Sequence, residues 1–237
     1  MLDPPSPTSP LVFSEFGTRR RRSYQVHDLV MQGLCEGMEE HRKSGKGGLF
    51  AGSSNVLMAL RYGVKPIGTI AHEWIMGVAA MKGYEGANGT AMDMWEEGTL
   101  CFKQNMTNIT VYPASASSPL HTMLTDTFTA QMFFKDFTGD PTRALRWGGL
   151  RQDSGDAFAF VREAKKAWAQ VEAAAGINKD GKEPVAKGKR VVFSDGLDVK
   201  SAIELQQGCD DIGMECKYLR LRALLTARLL RHWHLLD

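Results

Sequence analysis

The sequence predicts an α/β protein built around a parallel sheet. Short apolar runs are followed by glycine-containing polar turns and then by segments with helical spacing, and this order recurs along the chain. The clearest examples are residues 49–56, 64–75 and 190–199. Strands that alternate with helices in this way pair in parallel, so the pattern indicates a (β/α) barrel or a doubly wound sheet.

The overall composition is that of an ordinary globular protein. The 237 residues are 43% hydrophobic and 24% charged, with a formal net charge of +2, which gives no long-range field for nucleic acid or membranes. No apolar run reaches the ~18 residues of a membrane-spanning helix, and no secretory signal is evident. The cysteines form no Cys-x-x-Cys pair, which favours free thiols in a reducing compartment. They are Cys35, Cys101, Cys209 and Cys216. We expect a cytoplasmic protein, or one that is both cytoplasmic and nuclear.

The first half of the chain begins with a proline-rich arm. Residues 1–10 contain four prolines and are expected to be disordered or extended. A strand is expected at 11–13, and another at 49–51 before a helix over 56–62, with Ser53 or Ser54 as its N-cap. A further strand is expected at 64–67. Between the first two strands, helical spacing predicts a helix over 24–39 with one apolar face, formed by Val26, Leu29, Val30, Gly33, Leu34 and Met38.

The second half continues the alternation with one interruption. A helix is expected over 88–96, but residues 98–110 have no clear period and resemble an insertion. Later strands are expected at the start of 123–128, within 147–156 and at 190–193, with helices over 157–175 and 199–207. Residues 11–217 are therefore expected to form one domain. The leucine- and arginine-rich residues 218–237 are expected to form a divergent tail.

The turns after the predicted strands carry polar groups with related chemistry. Because the C-terminal ends of barrel strands meet at one face, these groups should line one cleft. Arginines bind anions, carboxylates bind Mg²⁺ or ribose hydroxyls, and glycine turns approach phosphate. One such turn alone is ordinary turn chemistry, but the series predicts a phosphorylated sugar substrate. The groups are Thr18 and Arg19; Ser53 and Ser54; Thr69 and His72; Asp126; Arg151, Asp153 and Asp156; and Ser194, Asp195 and Asp198.

In order and spacing, six segments of the chain resemble nicotinate phosphoribosyltransferases, and their residues are most similar to those of the fungal enzymes. The resemblance covers about residues 11–217, except 98–110. The related nicotinamide enzyme places an aspartate near the Ser53–Ser54 turn, where this chain has hydroxyls. A carboxylate there would repel nicotinate, so the nicotinate enzyme is favoured. The segments are EFGTRR at 15–20, GSSNV at 52–56, GTIAHEW at 68–74, LTDTF at 124–128, RQDSGD at 151–156 and SDGLD at 194–198.

The resemblance implies a type II phosphoribosyltransferase barrel, incomplete in this chain. The family joins nicotinate to 5-phosphoribosyl pyrophosphate with coupled ATP hydrolysis. By this resemblance, His72 corresponds to the histidine that the family transiently phosphorylates, and Asp153 to a second catalytic residue. Mg²⁺ would arrive with the phosphoribosyl substrate, with Asp153 and Asp156 as candidate ligands. Small molecules are the expected partners, with a homodimer as a further expectation and neither nucleic acid nor membrane. Substrate contacts are implied for Thr18, Arg19, Ser53, Ser54, Thr69, Arg151, Ser194, Asp195 and Gly196.

Differences from the family leave alternatives open. The family carries an N-terminal domain before the Phe-Gly-Thr segment, and a glycine-rich phosphate loop where this chain has its tail. The chain is therefore expected to be truncated at both ends, and the first alternative is a catalytically inactive fragment. A nicotinamide phosphoribosyltransferase-like enzyme is the next alternative. A basic nucleic-acid module built on Arg19–Arg22 and the tail is the least favoured, because the net charge is near zero.

Overall fold

The computed structural model describes residues 11–44, 48–105 and 121–219. The expected proline-rich arm, residues 106–110 of the expected insertion and residues 220–237 of the expected tail lie outside the described residues.

Strands and helices alternate through most of the described chain, as the sequence pattern predicts. The strands are β1 (Val12–Glu15), β2 (Leu49–Ser53), β3 (Thr122–Leu124), β4 (Gly149–Gln152), β5 (Arg190–Phe193) and β6 (Glu215–Leu219). The helices are α1 (Tyr24–Ser44), α2 (Val56–Tyr62), α3 (His72–Lys82), α4 (Ala87–Asn105), α5 (Ala130–Gly139), α6 (Pro141–Arg146), α7 (Ala157–Ala174) and α8 (Val199–Ile212). A 3-10 turn covers Thr18–Arg20.

The strands form a six-stranded sheet in the order β2-β1-β6-β5-β4-β3. The pairs β1–β2, β1–β6 and β3–β4 are parallel, which confirms the predicted fold class. The first strand pairs with the last, and the other neighbours are consecutive in sequence. That order is typical of a (β/α) barrel and differs from the doubly wound order, in which the first strand lies inside the sheet between early and middle strands.

The strand predicted at 64–67 is reduced to one parallel bridge between Ser53 and Pro66. Ser53 donates its backbone N–H to Lys65, and Ile67 donates to Ser53. Proline has no N–H to extend the ladder. The close approach also requires Gly52: its φ is +146°, and a Cβ there would lie 2.1 Å from the carbonyl oxygen of Lys65.

The chain divides into two compact units. Unit 1 contains the residues up to Gly68, Phe193–Ile212 and the residues from Cys216 onward. Its buried apolar residues include Phe13, Phe50 and Met58. Unit 2 contains Thr69–Val192 and Gly213–Glu215. Its core joins α5 to α7, where Phe137 meets Trp168 edge-on with ring centroids 4.8 Å apart.

Several local predictions need correction. The α1 helix runs five residues beyond the expected end at 39, and Val26 and Leu29 of its predicted apolar face are exposed, whereas His27, Val30 and Met31 are buried. The N-cap of α2 is Asn55, not Ser53 or Ser54. Helix α4 continues through Asn105, so the part of the expected insertion up to that residue is helical.

Three elements were not predicted. They are the helices α5 and α6 and the strand β6. Strand β6 includes Tyr218 and Leu219, the first two residues of the expected tail. Helix α8 also runs past 207, to Ile212. Within the ranges that the structure describes, no helix combines the length and apolar character needed to cross a bilayer.

Candidate functional site

Unit 2 brings together the turns that follow β3 and β4 and the first residue of α3. The parallel register pairs Leu124 with Arg151. Thr125 reinforces this register, because both its backbone N–H and its hydroxyl donate to the carbonyl oxygen of Arg151, at 3.2 and 2.9 Å. Both strands end at the same level, so the carboxylates of Asp126 and Asp153, which follow them, lie on the same side.

His72, the first residue of α3, lies at the centre of this group. Its Nδ1 lies 3.1 Å from the hydroxyl of Thr127. Its Nε2 lies 3.5 Å from a carboxylate oxygen of Asp153 and 4.0 Å from one of Asp126. The imidazole is 35% exposed. A nucleophilic ring flanked by bases and open to solvent is a plausible acceptor for a transferable group.

Of the two carboxylate oxygens of Asp126, one accepts a hydrogen bond from a described residue and the other does not. The hydroxyl of Ser154 donates to Oδ2 at 2.6 Å. The other oxygen, Oδ1, is buried and has no hydrogen-bond partner among the described residues. A buried carboxylate oxygen without a partner is costly, and Nε2 of His72 lies 4.0 Å from this one.

Arg151 ties the turn before α3 to the end of β4. Its guanidinium donates to the hydroxyl of Thr69 and, at 3.0 Å, to the carbonyl oxygen of Ile70. Burial lowers the pKa of Arg151, while the charges of Asp153 and Asp126 act in the opposite direction. The side chain is only 11% exposed, and its Nε has no hydrogen-bond partner among the described residues. Arg151 therefore has both a structural role and a buried Nε–H that no described residue accepts.

Unit 1 contains a second polar network, centred on Glu15 at the end of β1. One carboxylate oxygen accepts from the backbone N–H of Gly17. The other accepts from the hydroxyl of Ser53 at 2.5 Å and faces Nε2 of His27 at 3.1 Å. Glu15 is 8% exposed and His27 2%. A buried carboxylate is stable here because the backbone N–H of Gly17 and the hydroxyl of Ser53 both donate to it.

Asn55 extends this network to the Phe-Gly-Thr turn. Its side-chain oxygen caps α2 by accepting from Met58, and its amide donates to the hydroxyl of Thr18 at 3.2 Å. Ser53 is fully buried and also accepts from the N–H of Asn55. Ser54 is half-buried and donates its backbone N–H to Glu15. Unit 1 thus places Thr18 and Ser53 in one network, with both hydroxyls engaged.

The remaining predicted residues lie in turns with local hydrogen bonds. Arg19 is exposed. In unit 1, Ser194 is buried, and Asp195 accepts from the N–H of Gly196 at 2.6 Å. Asp198 accepts from Ser201, whose hydrogen bonds lower the pKa of that carboxyl. In unit 2, Asp156 is the N-cap of α7 and accepts from Ala159 at 2.9 Å.

The structure adds residues that sequence reasoning did not assign a role. Thr127 contacts His72, and Ser154 contacts Asp126. Both residues lie within the six segments singled out in the sequence. Glu15 stands at the end of a strand directly before Phe16-Gly17, a position that favours contact with the turn's N–H groups. Asn55 was visible as an N-cap residue type directly before the helix.

Oxygen ligands suitable for Mg²⁺ are present, but they do not form a complete cage. Oδ1 of Asp126 lies in the same group as the carboxylate of Asp153. Among the described residues there is no set of three or more His, Cys, Asp or Glu side chains arranged for a metal ion. Mg²⁺ is commonly held by one or two carboxylates together with substrate phosphates. The carboxylates present fit that mode.

Comparison with known proteins identifies relatives of the whole described region. A model of the nicotinate phosphoribosyltransferase (NAPRTase) family matches residues 11–218. The nicotinate phosphoribosyltransferase of Methanosarcina acetivorans is 38% identical over 200 residues, which are 84% of this chain and 40% of that protein. The Saccharomyces cerevisiae enzyme is 36% identical over 203 residues, 85% of this chain and 41% of that protein.

The structural comparison agrees. The crystal structure of nicotinate phosphoribosyltransferase from Vibrio cholerae matches with a TM-score of 0.68 at 28% identity, covering 93% of this chain and 43% of that one. The chain spans about two fifths of the length of the curated relatives it matches. The match over residues 11–218 confirms the family inferred from the six sequence segments. The chain belongs to the nicotinate phosphoribosyltransferase family.

Proposed function

We propose that this chain carries the reacting centre of a nicotinate phosphoribosyltransferase of NAD biosynthesis. The pyridine nitrogen of nicotinate attacks C1 of the ribose of 5-phosphoribosyl pyrophosphate. The bond from C1 to the pyrophosphate oxygen breaks, and nicotinate mononucleotide and pyrophosphate are released. In the coupled reaction, the γ-phosphoryl group of ATP passes to the imidazole of His72 with release of ADP, and then to water. The small-molecule substrates, the ATP coupling and a homodimeric state are all part of this proposal.

The observation that carries the proposal is the environment of His72. The ring has a hydroxyl at one nitrogen and two carboxylates at the other, and more than a third of it reaches solvent. A histidine that receives a phosphoryl group needs a fixed ring orientation and a nearby base to take its proton. Asp153 and Asp126 are positioned for that task.

The other residues of unit 2 have supporting roles in this scheme. Loss of pyrophosphate leaves an oxocarbenium-like ribose, so preorganised charge is the main aid that a protein can supply. Arg151 holds Thr69 and Ile70 in place and has an Nε–H to offer to an anionic group. Asp153 would hold Mg²⁺ delivered with the phosphoribosyl substrate, where the ion would neutralise phosphate charge. Asp156 has one oxygen engaged as an N-cap and is the weaker candidate ligand.

In unit 1, the proposal assigns substrate contacts to the exposed or half-buried members of the predicted set, namely Arg19, Thr18 and Ser54. The buried hydroxyl of Ser53 has two partners already. Its part in the proposal is to hold the turn in place. Asp195 and Gly196 remain candidates for ribose or phosphate contacts, with Ser194 behind them.

One alternative has a specific observation in its favour. The chain spans about two fifths of its relatives' length, so the described residues need not suffice for turnover. The alternative is a catalytically inactive chain that shares the family by descent. A preference for nicotinamide is the second alternative, and the same experiment tests it.

The test is incubation of the purified chain with 5-phosphoribosyl pyrophosphate, ATP, Mg²⁺ and either nicotinate or nicotinamide. We expect nicotinate mononucleotide from the wild-type chain and a loss of at least about 100-fold in His72→Ala, since nucleophilic and acid–base groups typically contribute that much. His41→Ala, which changes a histidine of α1, is the matched control and should retain the wild-type rate. A folded wild-type chain without product would support the inactive alternative. Product from nicotinamide alone would contradict the proposed substrate.

A further inference from the structure

The two ring nitrogens of His72 have different surroundings. Among the described residues, the hydrogen-bonding group at Nδ1 is the hydroxyl of Thr127, at 3.1 Å. At Nε2 the neighbours are carboxylate oxygens, 3.5 Å away on Asp153 and 4.0 Å away on Asp126. A neutral imidazole has one N–H and one lone pair, so it must choose between these environments.

Electrostatics decides that choice. Carboxylates accept hydrogen bonds and cannot donate them when ionised, so a lone pair on Nε2 would face two negative groups. A threonine hydroxyl can donate or accept, but an imidazole lone pair is a stronger hydrogen-bond acceptor than a hydroxyl oxygen, so Thr127 also favours a lone pair on Nδ1. The guanidinium of Arg151 lies 3.8 Å from Asp153 and weakens that carboxylate's pull, but Asp126 remains on the same side of the ring. The favoured arrangement has the proton on Nε2 and the lone pair of Nδ1 accepting from Thr127.

Ser154 sets the orientation of Asp126 in this arrangement. Its hydroxyl donates to Oδ2 at 2.6 Å, and this bond leaves Oδ1 as the oxygen that faces the imidazole. Oδ1 is buried and has no hydrogen-bond partner among the described residues. The four side chains therefore form an ordered row, in which Ser154 orients Asp126, Asp126 faces His72, and His72 accepts from Thr127.

We propose that Thr127 and Ser154 are positioning residues that hold the His72 imidazole as its Nε2–H tautomer in one orientation. The consequence for phosphoryl transfer rests on the function proposed above, whereas the tautomer itself does not. Neither residue needs to touch a substrate. Both act through His72, by fixing which nitrogen carries the proton when the ring meets its reaction partner.

Nitrogen-15 NMR of the histidine side chains measures the tautomer directly. The full chain, labelled at its six histidines and free of nucleotide and Mg²⁺, is recorded at a pH where the imidazoles are neutral. The signals that disappear in His72→Gln belong to His72. We expect a pyridine-type shift at Nδ1 and a pyrrole-type shift at Nε2 in the wild-type chain. The reverse pattern would overturn the proposal without any need for a variant.

Variants at position 127 then test the positioning role. Thr127→Val preserves shape but has no hydroxyl. We expect the ratio of the Nε2–H tautomer to the Nδ1–H tautomer to fall by up to roughly fivefold, as for one net hydrogen bond. Thr127→Ser should restore the wild-type shifts. Thr138→Val is the matched control, because the Thr138 hydroxyl donates to the backbone carbonyl oxygen of Phe134 in α5 and, among the described residues, has no bond to the His72 group. If Thr127→Val left both nitrogen shifts of His72 unchanged, the role of Thr127 would be refuted.

Ser154→Ala tests the other end of the row. We expect a smaller population of the Nε2–H tautomer, because Asp126 is then free to turn Oδ1 away. Unchanged His72 shifts in this variant would remove Ser154 from the proposal.

A second measurement connects the tautomer to the reaction. Incubation with ATP labelled in the γ-phosphoryl group reports transfer to His72, and we expect Thr127→Val to be labelled several-fold more slowly than Thr127→Ser. If the wild-type chain takes up no label, the proposed function fails for this chain, while the nitrogen shifts still decide the tautomer. Equal labelling of Thr127→Val and wild type, despite altered shifts, would refute the catalytic consequence.

Discussion

Glu15 links several buried polar groups of unit 1. Its carboxylate receives the N–H of Gly17 and the hydroxyl of Ser53, and it faces the buried imidazole of His27. Charge-assisted hydrogen bonds of this kind are about twice as strong as neutral ones. The same residue therefore stabilises two successive turns, each of which carries candidate substrate contacts.

The first prediction concerns Glu15→Gln. The amide would direct a donor towards Gly17, Ser53 or His27, so at least one buried group would lose its partner. We expect the free energy of unfolding to fall by about 2–3 kcal/mol, the usual cost of losing a hydrogen bond to a charged group. Chemical denaturation measures this value. Glu40→Gln, an exposed change in α1, is the control, and an equal effect of both variants would contradict the prediction.

At the scale of single elements, helix α2 shows how a short segment is secured. It has only seven residues, and Val56, Leu57 and Leu60 are exposed, so little apolar burial holds that face. Its ends compensate. Asn55 caps the N-terminus, and Gly63, with φ of 63°, closes the C-terminus with bonds to Ala59 and Leu60. Helices of this length are marginal without such contacts.

The second prediction follows from the two bonds of Asn55. Asn55→Ala removes both the cap to Met58 and the amide bond to Thr18, and we expect a loss of about 1–2 kcal/mol in stability. Asn55→Asp keeps the capping acceptor but has no amide donor, so its loss should be clearly smaller. The denaturation midpoint at constant slope measures both. Equal losses in the two variants would show that the cap contributes nothing.

At the scale of the whole molecule, a buried lysine makes stability depend on pH. Lys189 in unit 2 donates to the carbonyl oxygens of Leu145 and Trp147, at 2.7 and 2.9 Å. Its ammonium also lies 4.6 Å from the ring centroid of Trp168. Burial lowers the pKa of Lys189 from 10.5 to about 8, with Glu172 acting in the opposite direction.

The third prediction is the sign of this pH dependence. Between pH 8 and 10.5 the unfolded chain binds the Lys189 proton more strongly than the folded chain, so this group makes stability rise with pH in that window. We expect the wild-type chain to gain stability relative to Lys189→Met across it, by up to about 1.4 kcal/mol per pH unit.

Denaturation at several pH values measures the difference. Lys187→Met, which changes an exposed lysine paired with Glu183, is the control and should show no such gain. A wild-type advantage that shrinks as the pH rises would contradict the assigned direction.

The sequence by itself determined the α/β class, the bounds of α2 and the family. These features depend on local patterns, because side-chain period, turn chemistry and motif wording are all carried by residues close together in the chain. The match over residues 11–218 confirms the family. The same patterns did not predict α5 and α6. Their N-caps are Thr129 and Asp140, which were not recognised in the sequence as capping signals.

The tertiary structure decided which distant groups meet. Only the parallel register of β3 and β4 places Asp126 and Ser154 beside each other, 28 residues apart in the chain. Only the pairing of β1 with β2 places Glu15 against the buried hydroxyl of Ser53. Local periodicity cannot encode these contacts, because they depend on strand register and on which face of each helix is buried. The cap of α2 shows the same limit: the sequence favoured Ser53 or Ser54, whereas Asn55 accepts from Met58 and the Ser53 hydroxyl donates to Glu15.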